Sequence, residues 1–174
     1  MSASRVKWVV IAALIAGLIG VRPVVESAGA EPGAVVVPTI NYNSENNFGG
    51  LELGKYESGE RVPVTTIDRL ELPRCHLLKI DVEGMELEVL RGATQTLARL
   101  RPLLYLENDR PENSPPLIEF LLNAGYRLYW HTPPLFHPGN FYGNDDNEFP
   151  KLVSANMLGV HESIQAQTAG LRRI

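Results

Sequence analysis

The stretch His76-Leu77-Leu78-Lys79-Ile80-Asp81-Val82-Glu83-Gly84 decides how this chain is to be read. Its first part is short and mostly apolar, the pattern of a strand buried on both faces. Glu83-Gly84 supplies a turn. Beyond it Leu87, Leu90, Thr94, Leu97 and Leu100 recur at three- and four-residue steps, which predicts one amphipathic helix stopped by Pro102. A buried strand, a tight turn and a helix form the opening unit of a parallel α/β sheet.

The pattern repeats downstream. Leu103-Leu104-Tyr105-Leu106 predicts a second buried strand, ending in Glu107-Asn108-Asp109. Ser114 is placed to cap the next helix, with Pro115 in its first turn, where a missing N–H costs nothing. Leu117, Ile118, Leu121 and Leu122 form its apolar stripe and Gly125 closes it. Tyr126 to Trp130 and Ser154 to Val160 are two further strand candidates. Strands and helices in alternation point to an α/β fold with right-handed crossovers.

Working back from His76 the signals are shorter. Val62-Pro63-Val64-Thr65-Thr66-Ile67 is an extended piece in which Pro63 suits an edge strand. Ala34 to Val37 is another strand, and Thr39 to Gly59, rich in Asn, Gly and Ser, reads as a long loop. At the N-terminus Arg5 and Lys7 precede the apolar run Trp8 to Val21. We read a buried helix over Ala12 to Leu18 and a strand over Val21 to Val25, with a cytoplasmic protein as the consequence. The competing reading is a secretory signal peptide cleaved near Ala28-Gly29-Ala30. The run is short for a bilayer span, so no membrane partner is expected.

Composition narrows the function classes. The chain has 174 residues, which suits one domain with a proper core. Its net charge of −4 contains no block of Lys and Arg, which argues against nucleic acid as a partner. With Cys75 alone there is neither an intrachain disulfide nor a Cys-rich metal site, and no zinc ligand set, hydrolase elbow or phosphate-binding Gly-rich loop is present. The oxygen-rich segment Asn140 to Glu148 lacks the spacing of a calcium loop and reads as a solvated or substrate-facing loop. No metal site is expected.

In open α/β sheets ligands bind beyond the carboxyl ends of the strands. That rule gathers Asp81 and Glu83 from the first strand end, Glu107 and Asn108 from the second, and His131 from the third. Asp81 ends an apolar strand, where a carboxylate is costly unless used. Glu83 serves equally as a helix-end charge, and His131 reads as a structural histidine ahead of a proton carrier.

The segment Leu78-Lys79-Ile80-Asp81-Val82-Glu83-Gly84-Met85-Glu86-Leu87-Glu88-Val89-Leu90-Arg91-Gly92-Ala93 resembles the hallmark stretch of FkbM-type methyltransferases. Val64-Thr65-Thr66-Ile67-Asp68 before it and Arg101-Pro102-Leu103-Leu104-Tyr105-Leu106-Glu107 after it agree in order. The loop with Asn47-Phe48-Gly49-Gly50 is similar in layout. The resemblance places a methyltransferase domain over residues 12–162, with 1–11 unassigned and 163–174 as a tail.

The resemblance implies a Rossmann-like, mostly parallel class I methyltransferase sheet, S-adenosylmethionine as cofactor, and O-methylation of a small-molecule or glycan acceptor. On that layout Asp81 lies beside the methionine end of the cofactor and the acceptor hydroxyl, and Asp81 with Glu83 forms the catalytic pair. Ser27 and Ala28 would line the adenine side, and Glu107, Asn108 and His131 the acceptor. Family members also carry an earlier strand, Gly-rich turn, helix and acidic strand end. Nothing before residue 12 matches these, so the first strand-helix-strand unit is expected to be missing. That would expose a sheet edge for a partner chain to cover. The alternative is a non-catalytic remnant or binding module that does not hold the cofactor alone.

Overall fold

The computed structural model describes residues 9–12, 27–39 and 56–174, the first of these in backbone only. The expected helix over 12–18, apart from Ala12 itself, the strand over 21–25 and most of the Asn/Gly-rich loop lie outside the described residues.

Among the described residues the main sheet has six strands. They are β1 (Val9–Ala12), β5 (Leu77–Asp81), β6 (Leu103–Glu107), β8 (Asn156–His161), β7 (Tyr126–His131) and β9 (Arg172–Arg173), in that spatial order. A smaller sheet is ordered β2 (Ser27–Ala28), β4 (Glu60–Thr65), β3 (Gly33–Val37). The helices are α1 (Glu86–Arg91), α2 (Thr94–Leu100) and α3 (Ser114–Asn123).

The fold is mixed α/β, and the expectation of a mostly parallel sheet needs correcting. β1, β5 and β6 pair in parallel, but β8 runs antiparallel to both β6 and β7, and β9 antiparallel to β7. The reason is the connection. β5 reaches β6 through helices, which permits a parallel return, whereas residues 132–155 between β7 and β8 contain no helix and fold back as a long hairpin.

The apolar alternation sets the core. Leu78, Ile80, Leu104, Leu106, Leu128 and Met157 are fully buried and pack with Val89 and Leu90 of α1 and Leu117 and Leu121 of α3. Each buried aliphatic side chain contributes roughly 2 kcal/mol. Among the described residues, no helix is long and apolar enough to cross a membrane.

The margins of the two sheets add detail. Residues Val9–Ala12 pair in parallel alongside β5. At the other end, residues 172–173 of the expected tail form β9, and Ile174 N–H donates to the Leu128 carbonyl at 3.0 Å. Pro63 lies on the central strand of the small sheet and pairs with Ala34 of β3; among the described residues β2 pairs with Val64 and Thr65 only.

The single helix predicted from Leu87 to Leu100 is broken at Gly92-Ala93. A Cβ on Gly92 would overlap the Gly29 carbonyl oxygen, so the small sheet's β2 end docks where the helix is interrupted. The Gly92 carbonyl accepts from Asp68 N–H at 2.9 Å, and the Asp68 carboxylate accepts from Gln95 and Thr96 N–H at 2.9 and 2.8 Å. A side chain 27 residues away thus caps α2, whose own N-cap, Ala93, has nothing to offer. Ser114 is likewise the first residue of α3, while Asn113 occupies the cap position.

Candidate functional site

Three strand ends meet at one edge of the main sheet. Asp81 and Glu107 stand one step beyond the last paired residues of β5 and β6, Ile80 and Leu106. Glu107 pairs across β8 with Asn156, and Asn156 with His131 of β7. One row therefore crosses four strands as Asp81, Glu107, Asn156 and His131. Alternation puts Lys79 and Tyr105 on the same face, one layer below.

The turn after β5 adds a third carboxylate. Glu83 adopts φ 52° and Gly84 φ 96°, so the chain doubles back in left-handed conformations that only glycine accepts freely. Glu86, buried at the start of α1, braces this turn by accepting from Val82 and Gly84 N–H, both at 3.2 Å. The result brings oxygens of Asp81, Glu83 and Glu107 within 4.8 Å of one another. That spacing would admit a cation, but nothing apart from the carboxylates themselves points to a metal.

Charge around the three is asymmetric. Lys79 Nζ donates to Asp81 Oδ2 at 2.6 Å, at a position where both side chains are well exposed. Arg110 Nη2 donates to Glu83 Oε2 at 3.0 Å. Burial raises the Glu83 carboxyl above its ordinary range, and Arg110 pulls in the opposite direction. Glu107 is pushed up to about 7, first by burial and then by Asp81, Asp109 and Glu83. Its Oε2 is buried and accepts no hydrogen bond among the described residues. A protonated Glu107 can instead donate to Asp81.

The model for the methyltransferase FkbM domain matches residues 17–128, well over half of the sequence and the whole of the β5–α1 turn. The chain belongs to the FkbM methyltransferase family. No curated protein and no solved structure matches it.

Within this FkbM domain the expected site residues separate into groups. Asp81, Glu83 and Glu107 converge. Asn108 does not join them, because its side chain is buried and its amide donates to Ser114 Oγ at 2.9 Å and Met157 Sδ at 3.1 Å. That amide ties α3 to β8. His131 shares the row but sits two strands from Glu107, roughly 10 Å away. Its Nδ1 is bonded to the Tyr105 hydroxyl at 2.8 Å. Ser27 and Ala28 lie on β2 in the small sheet, opposite Val64 and Thr65, and Ala28 is buried in the core. In the segment Asn140 to Glu148 the Asn140, Asn144 and Asn147 side chains brace its own backbone, accepting from Asn144, Asp146 and Phe149 N–H.

Reading the sequence missed Lys79, Arg110, Asn113 and Glu86. Lys79 carried a signal, since strand alternation places it on the face of Asp81. Arg110, Asn113 and Glu86 carried none that a single sequence displays.

Proposed function

We propose that this chain transfers a methyl group from S-adenosylmethionine to a hydroxyl oxygen of a small-molecule or sugar acceptor. The observation that carries the reading is the convergence of Asp81, Glu83 and Glu107 at the carboxyl ends of adjacent strands in an FkbM methyltransferase domain. A cluster of carboxylates suits a cationic sulfonium donor, and the same cluster suits an acceptor that must lose a proton.

S-adenosylmethionine supplies an activated methyl group when bound. The acceptor oxygen forms the new C–O bond as the C–S bond breaks, and the hydroxyl proton must leave. Asp81, ion-paired with Lys79, orients the hydroxyl, and the proton passes to the ionised form of Glu107. A carboxyl titrating near neutrality is well matched to that task. In-line displacement otherwise requires mainly alignment, which the braced turn at Glu83-Gly84 provides. Glu83, neutralised by Arg110, serves as a second contact to the donor or acceptor. Ser27 and Ala28 remain the proposed adenine-side contacts, and Ala28, being buried, offers only backbone groups.

The deciding experiment is calorimetric titration of the purified chain with S-adenosylmethionine. Saturable binding that weakens in Asp81→Asn supports the reading. A folded sample giving no heat, and forming no S-adenosylhomocysteine with any hydroxyl acceptor, overturns it.

A further inference from the structure

Two loops form the lips of the carboxylate mouth, and one of them grips the other. The segment after β6, residues 108–113, lies over the strained turn after β5. Arg110 Nη2 donates to Glu83 Oε2 at 3.0 Å, and Asn113 Nδ2 donates to the Gly84 carbonyl at 3.1 Å. A Cβ on Gly84 would come within 3.3 Å of Asn113 Nδ2 and 3.5 Å of Arg110 Nε, so both side chains rest directly on the turn. The gripping segment is itself fixed, because the Arg110 carbonyl accepts from Asn113 and Ser114 N–H at 3.1 and 3.0 Å, at the start of α3.

A non-glycine residue at positive φ costs about 1–3 kcal/mol and persists only where its surroundings over-determine it. Three carboxylates within 4.8 Å also repel one another. Left alone, the Glu83-Gly84 turn would relax and carry Asp81 and Glu83 away from Glu107. Glu86 braces the turn from inside through Val82 and Gly84 N–H, but nothing in that contact opposes outward movement of the Glu83 side chain.

We propose that Arg110, assisted by Asn113, is the positioning residue of this site: it clasps the Glu83-Gly84 turn and so holds Asp81 and Glu83 against Glu107. The inference rests on reading the carboxylate mouth as the reacting site, but its test does not need methyl transfer. Glu107 reports the distance between the lips, because like charges nearby raise its titration midpoint. The charged and titratable groups around it are Lys79 and Asp81 on β5, Glu83 on the turn, and Tyr105 on β6, hydrogen-bonded to His131 on β7. Asp109 and Arg110 follow β6.

The test is a carboxyl-detected NMR pH titration of the purified chain, wild type against Arg110→Met, Arg110→Lys and Asn113→Ala. If Arg110 positions the turn, the Glu107 midpoint in Arg110→Met falls by about one pH unit, because Asp81 and Glu83 drift away. Arg110→Lys restores most of it, and Asn113→Ala shifts it in the same direction by less. If Arg110 acts only as a nearby positive charge, its loss raises the midpoint, and that result, or no change, overturns the proposal. Should Arg110→Met not fold, Asn113→Ala decides alone by the same criterion. Failure of S-adenosylmethionine to bind the wild-type chain counts against the proposed function and leaves this titration readable.

Discussion

Replacing Glu107 by Gln should stabilise the protein above neutral pH, and the size of the effect follows from where the carboxyl sits. Glu107 ends β6 half-buried, with Oε2 enclosed and unpartnered among the described residues; burial first, and then three other carboxylates, raise its midpoint from 4.5 to about 7. At roughly 1.4 kcal/mol per pH unit, that displacement has a ceiling of about 3 kcal/mol. Solvent reaches part of this mouth and screens it, so about 1–2 kcal/mol is expected. The sign is fixed by linkage. The folded midpoint lies above the unfolded one, so the folded state holds the extra proton. The associated stability is complete below pH about 4.5 and is lost as pH rises through about 7. Gln cannot ionise, and its amide donates to Asp81. Urea unfolding of wild type and Glu107→Gln across this range gives a difference curve in which titrating groups remote from Glu107 cancel. The variant should match wild type near the acid end and exceed it by about 1–2 kcal/mol near pH 8. A flat difference, or a variant weaker at high pH, would refute the reasoning.

Three further outcomes test the rest of the molecule. Asp81→Asn should lower methyl transfer by about 10²-fold or more while unfolding at the wild-type midpoint, since the side chain is well exposed and its ion pair lies on the surface; undiminished turnover would remove Asp81 from the mechanism. Asp68→Ala should cost about 1–2 kcal/mol in denaturant unfolding, with Asp68→Asn losing less because one acceptor oxygen remains. Gly92→Ala should destabilise by about 1–3 kcal/mol or more, because the added methyl meets backbone at Gly29 and the Thr66 side chain; thermal melting reads it, and an unshifted midpoint would mean β2 does not dock there.

The elements legible in the sequence were those whose partners are local. Runs such as Leu77 to Asp81 and Leu103 to Glu107 alternate against a buried face wherever they sit, and Gly125, at φ 81°, closes α3 whatever surrounds it. The misreadings share one cause, which is a partner outside the periodic run itself. Leu87 to Leu100 keeps helical periodicity throughout, so nothing local announces the break at Gly92. The break exists because Asp68 captures the N–H groups of Gln95 and Thr96, and because the Gly29 carbonyl needs the space. Ser114 looked like a cap by type, but Asn108 engages its hydroxyl one position inside the helix. β8 read correctly as a strand, but its direction depended on the helix-free connection from β7.

The candidate site divides along the same line. Its three carboxylates were legible because each ends a strand or begins the turn after one, and parallel register aligns strand ends without any side-chain contact. What makes those carboxylates unequal was not legible, because it depends on which charges face which. Asp81 and Glu107 occupy equivalent positions on neighbouring strands, yet Lys79 pairs with the first, while burial and neighbouring carboxylates raise the second. Burial then acts on Glu107 unopposed, whereas at Glu83 the Arg110 guanidinium opposes it. The Glu107 carboxyl is thereby brought to about 7, where its ionised form can take up the proton of a hydroxyl that Asp81 orients. The chemistry lies in the asymmetry of the neighbours. Exchanging the roles would require moving a cation across the mouth, as a Lys on β6 in place of Tyr105 would do.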